Sequence, residues 1–185
     1  MKYVYLLIII FSHNCIAEMI SSGTFVPYLS RAQVNAKGDT KVFELNPYIG
    51  LGTQLHMSGM NYFMPEIGYS YFLNNPKNIR REQVFINYNF SRVLSDNFTF
   101  RYGITNNWYR IIGKGGGITL DNGDSKTTFP SPDKTVTSYY TTLNIGGEAF
   151  FASRNYGLRF DLQTMSFQKL ENRAFNYLLT INFYR

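Results

Sequence analysis

The sequence has little cysteine, little charge and no long hydrophobic run. Its 185 residues include one Cys, and only 16% of them are charged. A single Cys excludes a fold held by internal disulfides, and a hydrophobic content of 44% excludes an intrinsically disordered chain. The longest wholly apolar run, residues 4–11, is far shorter than the roughly 20 residues that a membrane-spanning helix needs. The sequence therefore predicts a protein without a transmembrane helix.

Aromatic residues and glycine are abundant. The chain contains 16 Phe, 15 Tyr and 15 Gly against 6 Pro. Aromatic side chains favour β-strands, so this composition is typical of a strand-rich protein, and the length fits one domain. The formal net charge of +6 comes from Lys and Arg that are scattered along the chain. Scattered basic residues do not form a nucleic-acid patch, and lipid headgroups are the expected anionic neighbour.

The first 17 residues have the order of a secretory signal peptide. Lys2 precedes the apolar residues 4–11, and a more polar stretch then leads to the small-residue end Cys15-Ile16-Ala17. We predict a signal peptide over residues 1–17, cleaved after Ala17, and one domain over residues 18–185. A lipoprotein reading would lipidate Cys15, but residues 12–14 are not the small or branched apolar residues that such a site prefers. Cleavage after Ala17 removes the only Cys and leaves an exported domain without disulfides.

Apolar and polar residues alternate with a period of two, which is the pattern of β-strands with two different faces. The pattern predicts seven clear strands and one poorer strand over residues 24–34. The seven clear segments are residues 42–55, 63–73, 84–91, 98–108, 139–151, 158–163 and 174–183. Most of these segments approach or exceed the roughly 9 to 11 residues of a membrane-spanning strand, whereas ordinary strands average about 5 to 6.

Charge is confined to one face of the clear strands. The opposite face is aliphatic and aromatic, and its aromatic residues concentrate near strand ends, as in the two interfacial girdles of an outer-membrane barrel. The face with charge is therefore predicted to line the interior. Its charged residues are Glu44, Glu66, Arg101, Glu148, Arg159 and Asp161.

Connection lengths are consistent with eight strands whose two termini lie in the periplasm. Residues 94–97 and 152–155 form short turns at even-numbered connections, which this topology places in the periplasm. The long Gly- and Thr-rich connection, residues 113–135, is the fifth and is predicted to be external. The predicted fold class is all-β, an eight-stranded antiparallel up-and-down transmembrane β-barrel.

Two stretches carry a family resemblance. Residues 46–52 (NPYIGLG) and 65–71 (PEIGYSY) resemble strands of the small outer-membrane β-barrel proteins of the OmpA/OmpX-like porin superfamily. The resemblance implies a place in the outer membrane of a Gram-negative bacterium and assembly by the barrel-assembly machinery. It implies outer-membrane lipids and lipopolysaccharide as neighbours, no nucleic acid and no cofactor or metal. We predict a structural or surface-interacting role, without an open pore.

The candidate site is a network of charges in the lumen. Five of the interior charges form the predicted set, namely Glu66, Arg101, Glu148, Arg159 and Asp161. Buried charges are tolerated when they are paired, and an eight-stranded barrel is just wide enough for side chains to fill. An internal salt-bridge network is the favoured interpretation, and a narrow ion path, as in a small porin, is the alternative.

Catalysis is the weaker hypothesis. His56-Met57-Ser58 with Glu66 could form a hydrolase triad, and it resembles the His-x-Ser of outer-membrane lipid A deacylases. The predicted topology places His56 and Ser58 in a periplasmic turn, away from the outer leaflet, so we expect no enzyme. A soluble lipocalin-like carrier is a further alternative. Lipocalins also have eight strands but usually append a helix, whereas this chain ends in its last strand.

Glycine and proline raise two local questions. The run of glycines at residues 115–117 lacks the spacing of a phosphate-binding loop and is predicted to be a flexible exposed loop. Pro27, Pro47 and Pro65 interrupt predicted strands, where Pro removes a backbone donor. They are expected to mark bulges or shifted strand boundaries.

Overall fold

The computed structural model describes residues 18–27, 44–73, 75, 78–121, 126–130, 132–165 and 174–185. The predicted signal peptide, residues 1–17, lies outside them. The described residues form antiparallel strands. Their bounds are β1 (Met19–Val26), β2 (Asn46–Gly52), β3 (Leu55–Ser58), β4 (Asn61–Tyr71), β5 (Ile79–Ser95), β6 (Phe98–Gly113), β7 (Gly117–Asp121), β8 (Lys126–Pro130), β9 (Thr135–Phe151), β10 (Tyr156–Met165) and β11 (Ala174–Tyr184).

Eight of these strands close into a barrel. Strands β1, β2, β4, β5, β6, β9, β10 and β11 each pair with the next in the chain, and β11 pairs with β1 to complete the ring. Strand β3 continues the wall along β4 after a break in β2. The predicted eight-stranded antiparallel up-and-down barrel is confirmed. In the described part of the chain, no helix is long and apolar enough to cross a membrane.

The two ends of the barrel differ. One end, here called the turn end, carries the two chain termini of the barrel, because Met19 pairs with Tyr184. The tight turns at residues 59–60, 96–97 and 152–155 lie at the same end. The other end, here called the loop end, joins strands through residues 27–45, 72–78, 114–134 and 166–173. The longer connections therefore share one end, as the topology predicts.

The first two predicted strands need correction. Strand β1 begins at Met19 and ends at Val26, whereas the prediction placed it at residues 24–34, most of which lie outside the described residues. The outward face of β1 carries Ser22 and Thr24, so its apolar alternation is weak and its register is set by pairing with β11. The second predicted strand, residues 42–55, is split into β2 and β3.

The three prolines lie at irregular positions of the wall. Pro27 follows the end of β1, and Pro47 lies beyond the last residue pair between β2 and β4. Pro65 lies opposite the break between β2 and β3, where its carbonyl accepts a hydrogen bond from Thr53 N at 3.2 Å. The expectation of shifted strand boundaries therefore fits Pro27 and Pro47, whereas the described pairings have no bulge at the prolines, since Pro47 pairs in register with Thr24 and Pro65 with Tyr88.

The long connection at the loop end is partly ordered as a hairpin. Strands β7 and β8 pair with each other from Gly117–Pro130 to Asp121–Lys126. The expected loop at residues 115–117 is therefore wrong for Gly117, which begins β7. Gly115 and Gly116 have φ angles of 72° and 91°, a backbone conformation that glycine adopts without steric cost.

The barrel is apolar outside and polar inside. Among the described residues, polar and charged side chains outnumber hydrophobic ones in the buried set, and the exposed set is rich in Ile, Leu and aromatic residues. Outward aromatic rings cluster at the turn end, where Phe63 lies 5.3 Å from Phe90 and Tyr156 lies 5.5 Å from Phe183. The face assignment from the alternation is confirmed. The sequence also predicts that Phe43 and Phe167 belong to the aromatic girdles, but both lie outside the described residues.

Candidate functional site

The five predicted site residues all point into the lumen, from four strands of the wall. Glu66 comes from β4, Arg101 from β6, Glu148 from β9, and Arg159 and Asp161 from β10. All five side chains are at most 2% exposed. Each lies at the inward position of an alternating strand, so the pleat of the sheet is what directs the charge inward.

The five side chains form one continuous chain of alternating charge. Arg101 Nη1 lies 3.0 Å from Glu148 Oε2, and Arg101 Nε lies 3.7 Å from Asp161 Oδ1. Arg159 Nη2 then lies 2.5 Å from Asp161 Oδ2, and Arg159 Nη1 lies 2.6 Å from Glu66 Oε2. Each arginine thus lies between two carboxylates. Such pairing is what makes buried charge tolerable in a low-dielectric interior.

The Glu148 end of this charge chain is completed by donors from the last strand. Asn182 Nδ2 donates to Glu148 Oε1 at 2.8 Å, and the Tyr184 hydroxyl donates to the same oxygen at 2.5 Å. Both donors lie on β11, the strand that closes the barrel against β1. The carboxylate of Glu148 therefore connects the middle of the wall to its closing seam.

The Glu66 end is completed in the same way by two neutral donors. The Tyr48 hydroxyl donates to Glu66 Oε1 at 3.0 Å, and Asn87 Nδ2 donates to Glu66 Oε2 at 3.0 Å. With Arg159 included, this carboxylate accepts from three different strands. The sequence analysis did not find Tyr48, Asn87, Asn182 or Tyr184 as members of the site. The sequence signal that could have identified them is their inward position in the two-residue alternation.

Glycines on the lumen face make room for the charged side chains. A Cβ at Gly68 would lie 2.1 Å from the Tyr48 hydroxyl, and a Cβ at Gly157 would lie 2.1 Å from Glu148 Oε1. A Cβ at Gly146 would lie 2.3 Å from Asp161 Oδ1. Real Cβ atoms do not approach other atoms so closely, so these positions must lack a side chain for the network to fit.

Uncharged polar groups fill the next part of the lumen. The Thr105 hydroxyl donates to Asn87 Oδ1 at 2.5 Å, and Asn144 Nδ2 donates to Asn89 Oδ1 at 3.1 Å. Further members of this layer are Gln83, Asn107 and Thr142. Because Asn87 also donates to Glu66, this amide and hydroxyl layer is continuous with the charge chain.

An aromatic cluster occupies the lumen beside these polar groups, in the half of the barrel nearer the loop end. The ring of Phe85 lies 5.0 Å from that of Phe25 and 5.4 Å from that of Tyr48, both in edge-to-face geometry. Phe72 packs edge-on against Phe25, at 6.3 Å, and Leu178 belongs to the same buried cluster. Toward the loop end, the lumen therefore contains the amide and aromatic groups side by side, because Asn107 is the cross-strand neighbour of Phe85.

The residues of the hypothetical triad are not brought together. His56 and Ser58 lie on the exposed strand β3, and the turn itself is formed by Gly59 and Met60, so their predicted place in the turn is wrong by a few residues. The left-handed φ of 56° at Gly59 sets the turn there. His56 Nε2 lies 3.0 Å from the Gly59 carbonyl oxygen, whereas the Glu66 carboxylate is buried in the lumen with Arg159.

Metal ligation has no support in the described ranges. No group of three or more His, Cys, Asp or Glu side chains among those residues is placed to hold a metal ion. The three carboxylates of the charge chain are instead separated by the two guanidinium groups.

Comparisons with known proteins identify the fold. No protein-family model and no curated protein matches this chain. The solved structure of Ail, the attachment invasion locus protein of Yersinia pestis, matches with a TM-score of 0.50 and 7% identity, over 90% of this chain and 95% of Ail. Ail in complex with the heparin analogue sucrose octasulfate matches with a TM-score of 0.50 and 6% identity, over 90% and 96% of the two chains.

A third similar structure is Neisserial surface protein A, with a TM-score of 0.47 and 11% identity over 89% of this chain and 92% of that one. The likeness to Ail extends over nearly the whole of both chains. At such low identity it concerns the fold and not the activity. The chain thus has the fold of small membrane β-barrels.

Proposed function

We propose that this chain, with the fold of the small eight-stranded outer-membrane β-barrels, is an integral protein of a Gram-negative outer membrane with a structural or surface-interacting role, no open pore and no catalytic activity. The observation that carries the proposal is the reversed polarity of the barrel. Its lumen holds a paired charge chain from Glu148 to Glu66, and its outer wall is apolar.

The outer wall supports insertion into a bilayer. Outward side chains in the middle of the strands, such as Ile67, Ile145 and Leu179, are 62%, 49% and 44% exposed. A wall of such residues is costly in water and favourable in hydrocarbon. The polar lumen also argues against the lipocalin-like carrier, because a carrier of apolar ligands needs an apolar cavity.

The filled lumen supports the absence of an open pore. The pair between Arg159 and Glu66 joins opposite walls of the barrel at 2.6 Å, and the aromatic cluster around Phe85 lies farther along the same axis. An ion would have to displace paired guanidinium and carboxylate groups to pass. The small-porin alternative requires that this network opens.

With the lumen filled, a surface-interacting role falls to the outer wall and the loop end. The longer connections, including the β7–β8 hairpin, lie at the loop end, which in this topology is external. The expected neighbours are outer-membrane lipids and lipopolysaccharide, with the barrel-assembly machinery as the partner during insertion. Ail is named for attachment and invasion, and one of its structures contains a sulfated heparin analogue, which agrees with a surface role for this fold.

Heat modifiability of the outer-membrane fraction tests the proposal. The membranes are washed with carbonate, and samples are run on gels in detergent with and without boiling. We expect the chain to stay with the membrane, to migrate faster when unboiled, and to begin after Ala17. A chain recovered in the soluble periplasmic fraction would contradict the proposal and favour the carrier.

A further inference from the structure

Three charged side chains form a cluster on the outer wall at the loop end, here called the rim cluster: Arg80, Glu82 and Arg110. One carboxylate bridges both guanidinium groups. Arg80 Nη2 lies 3.0 Å from Glu82 Oε2, and Arg110 Nη1 lies 2.9 Å from Glu82 Oε1. Arg80 and Glu82 share the outward parity of Val84 and Ile86 on β5, and Arg110 shares that of Tyr102 and Ile104 on β6, so all three face away from the lumen.

The rim cluster has spare positive charge at its surface. The side chains of Arg80 and Arg110 are 55% and 46% exposed, whereas that of Glu82 is 8% exposed. Two guanidinium groups share one carboxylate, so the cluster keeps a net charge of one positive unit. Each arginine uses only part of its five N–H donors on Glu82, and its exposed edge remains open to an acceptor.

Tyrosines hold the cluster in place. The Tyr69 hydroxyl donates to Glu82 Oε2 at 3.1 Å, and the guanidinium carbon of Arg80 lies 5.3 Å from the centre of the Tyr71 ring. The bridging carboxylate and the ring under Arg80 restrict the arginine rotamers in advance. Preorganised guanidinium groups lose less conformational freedom when they bind a ligand.

The cluster lies at the level expected for lipid headgroups. Glu82 pairs with Tyr71 and Arg110, and two residues nearer the membrane centre Val84 pairs with Tyr69 and Trp108. Two residues correspond to about 7 Å along a strand, so the charges lie just beyond interfacial aromatic residues. Along β5, the distance from the turn-end aromatic Phe90 to Glu82 is roughly 20 Å along the membrane normal for a strand tilt of about 40°, close to the height of the apolar band.

We propose that the rim cluster binds a phosphate group of the lipid A type of glycolipid in the outer leaflet. The inference rests on the proposed function, which places the loop end at the cell surface. Two guanidinium groups on one side of an anion present paired N–H donors in the geometry that phosphate oxygens accept. The neighbouring aromatic and aliphatic wall offers an apolar surface for the acyl chains.

The same strand supplies a matched control at the opposite end of the barrel. Arg92 is exposed near the turn end of β5, on the same outward parity as Glu82. It faces the inner leaflet in the proposed orientation, where lipid A is absent. If general basic charge caused the binding, replacing Arg92 would also weaken it. If the rim cluster is a specific phosphate site, replacing Arg92 would leave the affinity unchanged.

Energy transfer from the single tryptophan measures binding directly. Trp108 lies two residues from Arg110 on β6, and it is the only Trp of the chain. The chain is inserted into phosphatidylcholine vesicles that contain dansyl-labelled lipid A with its phosphates, or the same lipid after their removal. A third sample adds inorganic phosphate to the buffer as a competitor.

We expect the double variant R80Q/R110Q to bind phosphorylated lipid A at least about tenfold more weakly than the unmodified chain, because charge-assisted hydrogen bonds are lost. The R92Q variant should bind like the unmodified chain. R80K/R110K should be intermediate, since lysine keeps the charge but not the planar fork. Dephosphorylated lipid A should bind the unmodified chain as weakly as the double variant binds the phosphorylated lipid.

Several outcomes would overturn the inference. Equal affinities of R80Q/R110Q and R92Q would show general charge attraction, and full displacement by inorganic phosphate would show a free-phosphate site. If R80Q/R110Q does not insert, the guanidinium Nε–Hε resonances of the unmodified chain give the same test. They should shift with phosphorylated lipid A at Arg80 and Arg110 but not at Arg92, and unchanged resonances contradict the site. Failure of the unmodified chain to insert would instead contradict the proposed function.

Discussion

Arg159 of β10 and Glu66 of β4 form an ion pair of 2.6 Å across the lumen, although their strands lie on opposite walls of the barrel. Arg159 also lies 2.5 Å from Asp161 on its own strand. The pair therefore ties two walls that share no backbone hydrogen bonds. Because both side chains are fully buried, each charged group is stabilised by the other more than by solvent.

Removing Arg159 from this pair should destabilise the barrel more than removing Arg159 and Glu66 together. Arg159→Met alone leaves the buried Glu66 carboxylate without its guanidinium partner, at a typical cost of about 3 to 5 kcal/mol, and less where water reaches the lumen. Glu66→Gln alone should cost less, because Arg159 keeps its ion pair with Asp161. The double variant should lose less than the sum of the two single losses. Urea unfolding in vesicles measures all three, with the exposed Arg92→Met as a control within about 0.5 kcal/mol. Strictly additive losses would show that the pair contributes no coupling.

Adding a methyl group at a lumen glycine should disturb the network. Gly68→Ala places a Cβ 2.1 Å from the hydroxyl of Tyr48, which is held by Glu66, so a cost of about 1 to 3 kcal/mol is expected. Gly147→Ala is the matched control, because its Cβ comes too close only to the end of the outward Phe98 ring, which can turn into lipid, and lies at an ordinary 3.5 Å from the Thr99 carbonyl oxygen. Thermal or urea unfolding compares the two variants. Equal losses at both positions would contradict a tightly packed lumen.

Arginine on the outer wall should be costly in the middle of the bilayer. Ile145→Arg and Leu179→Arg are expected to lose roughly 2 to 4 kcal/mol, and Ile20→Arg near the turn end of β1 roughly 0 to 1 kcal/mol. All three positions are exposed outward, so their burial is similar and their depth differs. Unfolding from lipid vesicles measures the difference. A cost close to zero at both central positions would reverse the assignment of faces.

His56 and Ser58 should be dispensable for lipid chemistry. Both lie on β3 at the turn end, and neither contacts the buried Glu66 carboxylate in the described residues. His56→Ala and Ser58→Ala should leave the mass spectrum of the cell's lipid A unchanged. Loss of a deacylated species in either variant would restore the lipid A hydrolase alternative.

The two-residue alternation was enough to predict the barrel and the inward direction of its charges. The barrel strands other than β1 carry the pattern clearly, and the pleat makes that pattern equivalent to a face assignment. The first strand was misplaced because the outward positions of β1 include Ser22 and Thr24, which weaken the alternation. Its register depends on β11, a partner more than a hundred residues away in the chain.

The partners inside the lumen could not be read from strand order. Arg159 is the direct cross-strand neighbour of Glu148, but its side chain binds Glu66 on the far wall. Such a contact depends on the shear and diameter of the closed barrel, which no single strand encodes. The composition shows that glycine is abundant, but only the positions of the Tyr48 and Glu148 side chains explain why particular positions must be glycine.

The steady conductance of the inserted chain in a planar bilayer tests the central claim, that paired side chains close the lumen. The account predicts little steady current for the unmodified chain at moderate voltage. Glu66→Ser with Arg159→Ser removes the pair across the lumen and should raise the current, which shows that the assay senses this path. A large ohmic conductance of the unmodified chain, unaffected by that double change, would contradict the account and identify a small porin.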